Sequence, residues 1–347
     1  MMGVLYRIRD ILGNKILPYS IPVWNSDACI NKETLYQLFI ENYKRSQIPF
    51  QNVEALSADI PIEFVDCLRI DFDEPIFYGG YSVLKEYAGL DMFMLPPKNL
   101  GIQHGYSFEI LEWEKAKSKK RNLVWSKELV RMYQNVCNHS DIYAIGAPFF
   151  YAKSLLDDEE IEKEKKRLGK NLLAFPMHSS PCTDTNFDPE KFLEVLKEER
   201  KRFDSVRVCL YWKDVLKGRH KFYQNAGFEC VCNGHIYDLN FLRRQKSLFS
   251  IADATISNGV GSHIGYSIFM QKPHRLIKDF YEYKGGDGEE LTEVMRKTNF
   301  QFVESAFLES DDYVISQKQI EAVDKFWGLS DFKTPKTLRK LLLELFM

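Results

Sequence analysis

Between residues 172 and 277, short apolar runs alternate with longer segments of helical period, and this alternation restricts the chain to few folds. Segments 172–176, 206–211, 228–232, 254–256 and 273–277 read as buried strands, and 189–202, 219–225, 239–251 and 262–270 as the helices between them. Strands alternating with helices form a parallel sheet covered on both faces, with right-handed crossovers. The expected fold class is therefore α/β. The first half is less regular. Segments 32–44 and 127–136 read as helices, and 64–70, 122–125 and 142–145 as strands. Tyr78-Gly79-Gly80-Tyr81 reads as a turn opening a helix through Tyr87. A solvated helix over 157–170, acidic then basic, marks a change of composition. The boundary is placed there, giving domains 1–168 and 169–347, with a mostly helical tail from Leu291.

Ligands of open parallel sheets gather at the C-terminal ends of the strands. The residues after each strand of the second half are His178, Ser179 and Ser180; Trp212, Lys213, Lys217, Arg219 and His220; Asn233 to Asp238, including His235; and Ser257-Asn258-Gly259-Val260-Gly261-Ser262-His263. The last is a strand, a Gly-rich turn and a helix start. Such a turn points free backbone N–H groups and the positive end of a helix dipole at one spot, which suits a phosphate. Hydroxyls and cations from the neighbouring loops converge on the same edge, as a nucleotide mono- or diphosphate requires. Each piece also has a plainer reading. The turn can be a tight bend closed by a Ser cap, and 213–221 a solvated basic loop.

In the first half, Gly101-Ile102-Gln103-His104-Gly105 places a His on a short turn near a strand end. Imidazole there can accept a proton from a hydroxyl near neutral pH, or simply bond to nearby backbone. Asp71-Phe72-Asp73 after a strand matches the metal-binding pattern of one class of sugar transferases, and also an ordinary acidic turn before Pro75. The balance of 47 basic and 49 acidic residues gives no basic excess pointing to nucleic acid. The sequence contains no long apolar run of membrane-spanning length. Segment 1–18, interrupted by Arg7, Arg9 and Asp10, reads as an amphipathic helix rather than a secretory signal. Seven cysteines without a spaced framework suggest reduced thiols and the cytoplasm, and Cys230 and Cys232 read as small apolar strand residues. The absence of GxGxxG after a first strand, of GxxxxGK[ST] and of GxSxG argues against dinucleotide oxidoreductases, P-loop NTPases and α/β-hydrolases.

Taken together, segments between Phe64 and Ile277 resemble the GT-B glycosyltransferases of bacterial surface and capsular polysaccharide synthesis. Gln103-His104-Gly105 is similar to the His-Gly motif of the CDP-glycerol glycerophosphotransferase and related capsule enzymes. Ile145-Gly146-Ala147-Pro148 resembles the Gly-x-Pro that ends their N-terminal domain. Phe175-Pro176-Met177-His178-Ser179-Ser180 resembles the opening of their C-terminal domain, and the turn at 257–263 their donor phosphate loop. The resemblance implies two Rossmann-like domains facing across a cleft, with the final helix packed back onto the first domain. It implies transfer of a sugar from a nucleotide-sugar donor to a hydroxyl of a glycan or lipid-linked glycan acceptor. His104 would be the base. His178, Ser179, Ser180, Lys213, Arg219, His235, Ser257, Asn258, Gly259, Gly261, Ser262 and His263 would hold the donor and its phosphate. No metal and no cofactor beyond the donor substrate are expected, since a helix dipole with nearby donors can stabilise the leaving phosphate. A single base favours inversion. Nucleic acid is not an expected partner. The implied location is the cytoplasm, with peripheral association at the inner face of the membrane. One departure stands: the helix after the turn reads His263-Ile264-Gly265-Tyr266-Ser267 without the Glu that holds the donor ribose in many such enzymes, so a CMP-sugar donor, as in bacterial sialyltransferases, stays open. A sugar-nucleotide epimerase or hydrolase on the same scaffold, or a non-catalytic sugar- or nucleotide-binding protein, would carry the same features.

Overall fold

The computed structural model describes residues 32–60, 76–90, 94, 96–97, 100–110, 121–136, 141–180, 183–279, 281–286, 288–308 and 313–345. The segment 1–18, the strand expected over 64–70 and the Asp71-Phe72-Asp73 pattern lie outside the described residues.

The larger sheet is built from the alternating half of the chain. Its strands are β4 (Asn171–Phe175), β6 (Ser205–Leu210), β7 (Glu229–Cys232), β8 (Ala254–Ser257) and β9 (His274–Leu276), with β5 (Asp184–Phe187) lying elsewhere. All pairs are parallel, in the spatial order β7-β6-β4-β8-β9. The first strand thus sits in the middle and the strand order reverses beside it, which is the Rossmann arrangement. The sequence shows why β4 is central. Asn-Leu-Leu-Ala-Phe is buried at every position, as a strand covered on both faces must be. Its one polar side chain is matched: Asn171 Nδ2 donates to Ser205 Oγ at 2.8 Å, and its Oδ1 accepts from Arg207 Nη2 at 2.9 Å.

The smaller sheet holds β1 (Leu100–Ile102), β2 (Arg121–Val124) and β3 (Asp141–Ala144), parallel and in chain order. Helices α1 (Lys32–Ser46), α2 (Val53–Ser57), α3 (Gly80–Tyr87), α4 (Lys127–Val136) and α5 (Asp158–Leu168) belong to this first part of the chain. The two parallel sheets with their helices are the two Rossmann-like units of the expected α/β class. Helix α5 opens on a capping box, with Asp157 Oδ1 accepting from Glu160 N at 2.9 Å and Glu160 Oε2 accepting from Asp157 N at 2.9 Å. Although early in the chain, α2 packs on the larger sheet, where Val53 and Leu56 join the core of Leu172, Val208, Cys230 and Cys232.

The second part continues with α6 (Pro189–Glu199), α7 (Trp212–Leu216), α8 (Arg219–Asn225), α9 (Phe241–Ile251), α10 (Ser262–Phe269), α11 (Gly288–Val294), α12 (Thr298–Leu308), α13 (Gln317–Trp327) and α14 (Pro335–Glu344). Two features differ from the sequence reading. Residues 212–225 form two short helices rather than a basic loop and one helix. In addition, β5 pairs antiparallel with β10 (Tyr281–Lys284), a ribbon with no counterpart in the alternating pattern.

The final helices run back to the first sheet, as the resemblance implied. Arg339 of α14 donates to Ala88 O at 3.3 Å, Arg121 of β2 bonds Leu345 O, and Lys333 N donates to Tyr151 Oη at 2.9 Å. One apolar core joins both sheets. Leu100, Leu123 and Ile142 belong to the same buried cluster as Leu173, Phe175, Val231, Ile264 and Trp327.

Candidate functional site

The strand order reverses between β4 and β8, so the crevice favoured for ligands lies between the loops that follow these two strands. Here the two loops are tied together. Asn258 Oδ1 accepts from Met177 N at 2.7 Å, while Asn258 Nδ2 donates to Asp279 at 3.1 Å. Met177 and Tyr281 lie directly on Gly259, where a Cβ would collide with the Met177 sulfur. The turn runs into α10, whose first residue, Ser262, accepts from Tyr106 N at 3.3 Å through Oγ. Tyr106 comes from the loop after β1, so the smaller sheet reaches the N-terminus of α10. Gly261 caps that helix in extended conformation, with the His263 ring folded back beside it. The His263 imidazole stacks on Phe175 at 4.7 Å and 10°. Burial, with His274 and His178 nearby, holds it well below the usual histidine range, against a hydrogen bond with the Gly259 backbone. Its Nε2 is buried with no hydrogen-bond partner among the described residues.

The loop after β4 is held by the cations that follow β6. Lys213 Nζ donates to Ser180 O at 2.8 Å and pairs with Asp184 at 2.9 Å. Arg219 donates to Thr185 O at 2.7 Å and pairs with Asp214 at 2.9 Å. Asp214, buried, accepts from Ser179 N at 3.0 Å, and Ser179 Oγ accepts from Thr185 N at 3.3 Å. Lys213 and Arg219 are thus engaged in shaping this loop. His178 projects from it, its Nδ1 at 2.8 Å from Ser179 O and its ring 4.6 Å from that of Tyr211. His235 stands apart at the end of β7, against the Trp212 ring at 4.2 Å and 3.7 Å from Asp59. Burial pushes it down to about 4, so it is neutral near pH 7.

His104 comes from the other sheet. Gln103 fixes its loop: Oε1 accepts from Trp125 N at 2.8 Å, Nε2 donates to Gly105 O at 2.8 Å, and its own carbonyl accepts from the Trp125 indole at 2.9 Å. The His104 imidazole is flanked by Phe77, edge-on at 4.9 Å, and by Tyr78 at 6.1 Å. Tyr78 in turn meets Tyr211 hydroxyl to hydroxyl at 3.0 Å. A continuous path of side chains therefore runs from His104 through Tyr78 and Tyr211 to His178 on the edge of the larger sheet. His104 also lines a recess bounded by Tyr78, Gln103, Trp125, Leu242 and Tyr266, which is about 250 Å³ counting its open mouth.

The structure thus gathers His178, Ser179, Ser180, Lys213 and Arg219 in one network and the 257–263 turn in a second, joined through Asn258. His104, on the opposite sheet, is linked to the first network through Tyr78 and Tyr211, while Tyr106 of the same loop bonds Ser262 of the second, and His235 lies to one side. Tyr78, Tyr106 and Tyr211 do not stand out in the sequence. Tyr78 reads as part of a turn and Tyr211 as the last residue of a strand, and no local pattern distinguishes them. Among the described residues no three His, Cys, Asp or Glu side chains form a metal-ligating cluster.

No family model matches this chain, and no curated protein matches it. Solved structures do. A wall teichoic acid polymerase TagF superposes with a TM-score of 0.36 at 12% identity, over 67% of this chain and 59% of that one. A second TagF structure gives 0.36 at 10% identity, over 71% of this chain and 62% of that one. The UDP-GlcNAc 2-epimerase from Methanocaldococcus jannaschii gives 0.36 at 12%, over 83% of each chain. This chain therefore spans about three fifths of the TagF chains it matches. Nothing about its activity follows from likeness at that level.

Proposed function

We propose that this chain is a glycosyltransferase that moves a sugar from a nucleotide-sugar donor to a hydroxyl of a glycan or lipid-linked acceptor, with inversion and without a metal ion. The supporting observation is the placement of His104. It stands on the smaller sheet, linked through Tyr78 and Tyr211 to the edge of the larger sheet that carries His178 and the turn at 257–263. A base and an anion site on opposite sides of one crevice are what glycosyl transfer to a hydroxyl requires. His104 takes the proton of the acceptor hydroxyl as that oxygen bonds to the anomeric carbon. The bond from that carbon to the donor phosphate breaks, and its electron pair leaves on the phosphate. The backbone N–H groups at the start of α10 face the charge that develops there. The proposed location is the cytoplasm, at the inner face of the membrane. Among the described residues no helix is long and apolar enough to cross one.

A thermal-shift panel of CMP, CDP, UDP, GDP and ADP, with and without EDTA, tests the reading. A true donor nucleotide at a hundredfold excess over its dissociation constant adds about 2.7 kcal/mol of apparent stability, and EDTA leaves that shift in place. Absence of a shift with all five would overturn the proposal. Turnover of a nucleotide sugar without acceptor would move it to an epimerase or hydrolase. His104→Ala is expected to lower turnover by about 10²–10⁴-fold while nucleotide affinity stays unchanged.

A further inference from the structure

Tyr78 adopts φ 58° and ψ 12°, the left-handed region. Among the described residues one other non-glycine does so, Gln271 at φ 55°. Gln271 follows the end of α10, where Gln271 N donates to Ile268 O and Lys272 N to Ser267 O, an ordinary helix terminator. Tyr78 terminates no such helix. It lies inside a turn of 3-10 helix, and a bulky aromatic in this region is an outlier that persists only when its surroundings over-determine it.

The surroundings do so. Tyr78 N donates to Ile236 O at 2.6 Å. The next residue, Gly79, has φ 73° and lies so close to Leu239 O that a side chain there has no room. The Tyr78 ring packs on Phe241 at 4.6 Å. All three partners lie between the end of β7 and the first residue of α9, in the other unit. The turn is therefore bent into a costly conformation by docking across the interface. The result is one aromatic ring beside His104 whose hydroxyl meets that of Tyr211, at the end of β6. Phe77, the residue before it, supplies the second ring against the imidazole and rests on Tyr237 at 5.5 Å.

We propose that Tyr78 and Tyr211 are a positioning pair for His104: their hydroxyl–hydroxyl bond fixes one of the two rings that flank the imidazole, so the opposite sheet helps to set the orientation of the base. The inference rests on the reading of His104 as the base. Burial keeps both phenols protonated, with Tyr78 raised to about 12, so the bond persists across the working pH range.

The test uses the full chain with histidines labelled at Cε1, His104 being assigned by loss of its signal in His104→Gln. Tyr78→Phe and Tyr211→Phe each delete the same hydrogen bond and keep both rings. The expected result is that the His104 ring signal moves in the same direction in both single variants. In the double variant it moves no further than in either, the signature of one shared interaction. With an identified donor, each variant lowers kcat about tenfold and leaves KM within about twofold. A pair that only stabilises the fold would lower the melting temperature and leave the His104 signal and kcat in place, and that outcome overturns the proposal. Where Tyr78→Phe does not fold, Tyr211→Phe decides by itself. Failure of the nucleotide panel would remove the transferase reading while the His104 signal still reported on the pair. Nucleotide binding with a His104 signal indifferent to Tyr211→Phe would remove the pair and leave the transferase reading standing.

Discussion

At the scale of single residues, the turn after β8 is held by a proton count. His274 Nδ1 lies 2.8 Å from Thr255 Oγ1, and its Nε2 lies 3.0 Å from Ser257 Oγ. Ser257 donates to Gly259 O at 2.8 Å, so its oxygen must accept from His274. That places a proton of His274 on Nε2, while Thr255 Oγ1 lies between His274 Nδ1 and Ser267 Oγ, at 2.7 Å from the latter. The chain of hydroxyls thus ends on the carbonyl of Gly259, inside the candidate phosphate turn. Burial pushes His274 down to about 3, His235 to about 4, and His263 in the same direction. All three are neutral in the folded protein at pH values where an unfolded chain, with histidine near 6.5, is protonated. Unfolding therefore takes up protons, and stability falls as the pH drops from 7 towards 4 and levels off below the folded values. Urea unfolding at pH 7 and pH 5 should show a loss of roughly 2 kcal/mol each for His274 and His235. In His274→Gln the loss should shrink by about that share. An unchanged difference would mean that His274 is protonated in the folded state.

At the scale of elements, α10 and α13 meet at a contact that admits no side chain. Gly265 lies under the Trp327 ring, where even a methyl group would overlap the indole, and Trp327 Nε1 donates to Ser262 O at 3.1 Å. Gly265→Ala should therefore cost about 1–3 kcal/mol by overpacking, although Ala is the better helix former. Trp327→Phe in that background should recover part of the loss, readable by denaturant midpoints. An Ala variant as stable as the parent would show that α13 can shift freely. Contacts of this kind mark the limit of what a sequence makes legible. The strands and helices from 171 to 276 follow from period and length, because each buries its own apolar face. The Gly-rich turn is legible because Asn258, Gly259 and Gly261 stand together. The inward bonds of Ser257 and Asn258 are not, since Met177, His274 and Asp279 lie distant in sequence. The β5–β10 ribbon is hidden for the same reason. Asp184-Thr185-Asn186-Phe187 has little apolar pattern, and its partner begins almost a hundred residues later. Tyr78 draws no notice because its strain comes from Ile236 and Leu239, which no local window contains.

At the scale of the molecule, two sheets suggest two independently stable units, and the packing argues otherwise. Neighbouring domains move freely by default unless their interface is large and apolar. Here Phe149, between β3 and α5, stacks on Tyr266 of α10 at 4.2 Å, and Phe150 stacks on Phe269 at 4.1 Å. Trp125, Trp327 and Tyr266 form a continuous aromatic layer between the sheets. The C-terminal helices then bind to the first sheet through Arg339, Leu345 and the Tyr151–Lys333 bond. Loss of either sheet would expose the aromatic face of the other, so neither half can unfold alone without a large penalty. Calorimetry should accordingly show one endotherm whose calorimetric and van't Hoff enthalpies agree. Trp327→Ala should lower that single transition, by about 3–5 kcal/mol in stability, rather than split it. Two resolved transitions in the parent protein would show that the shared core does not couple the sheets. His104 would then owe its place beside the larger sheet to the Tyr78–Tyr211 bond and the docked turn alone.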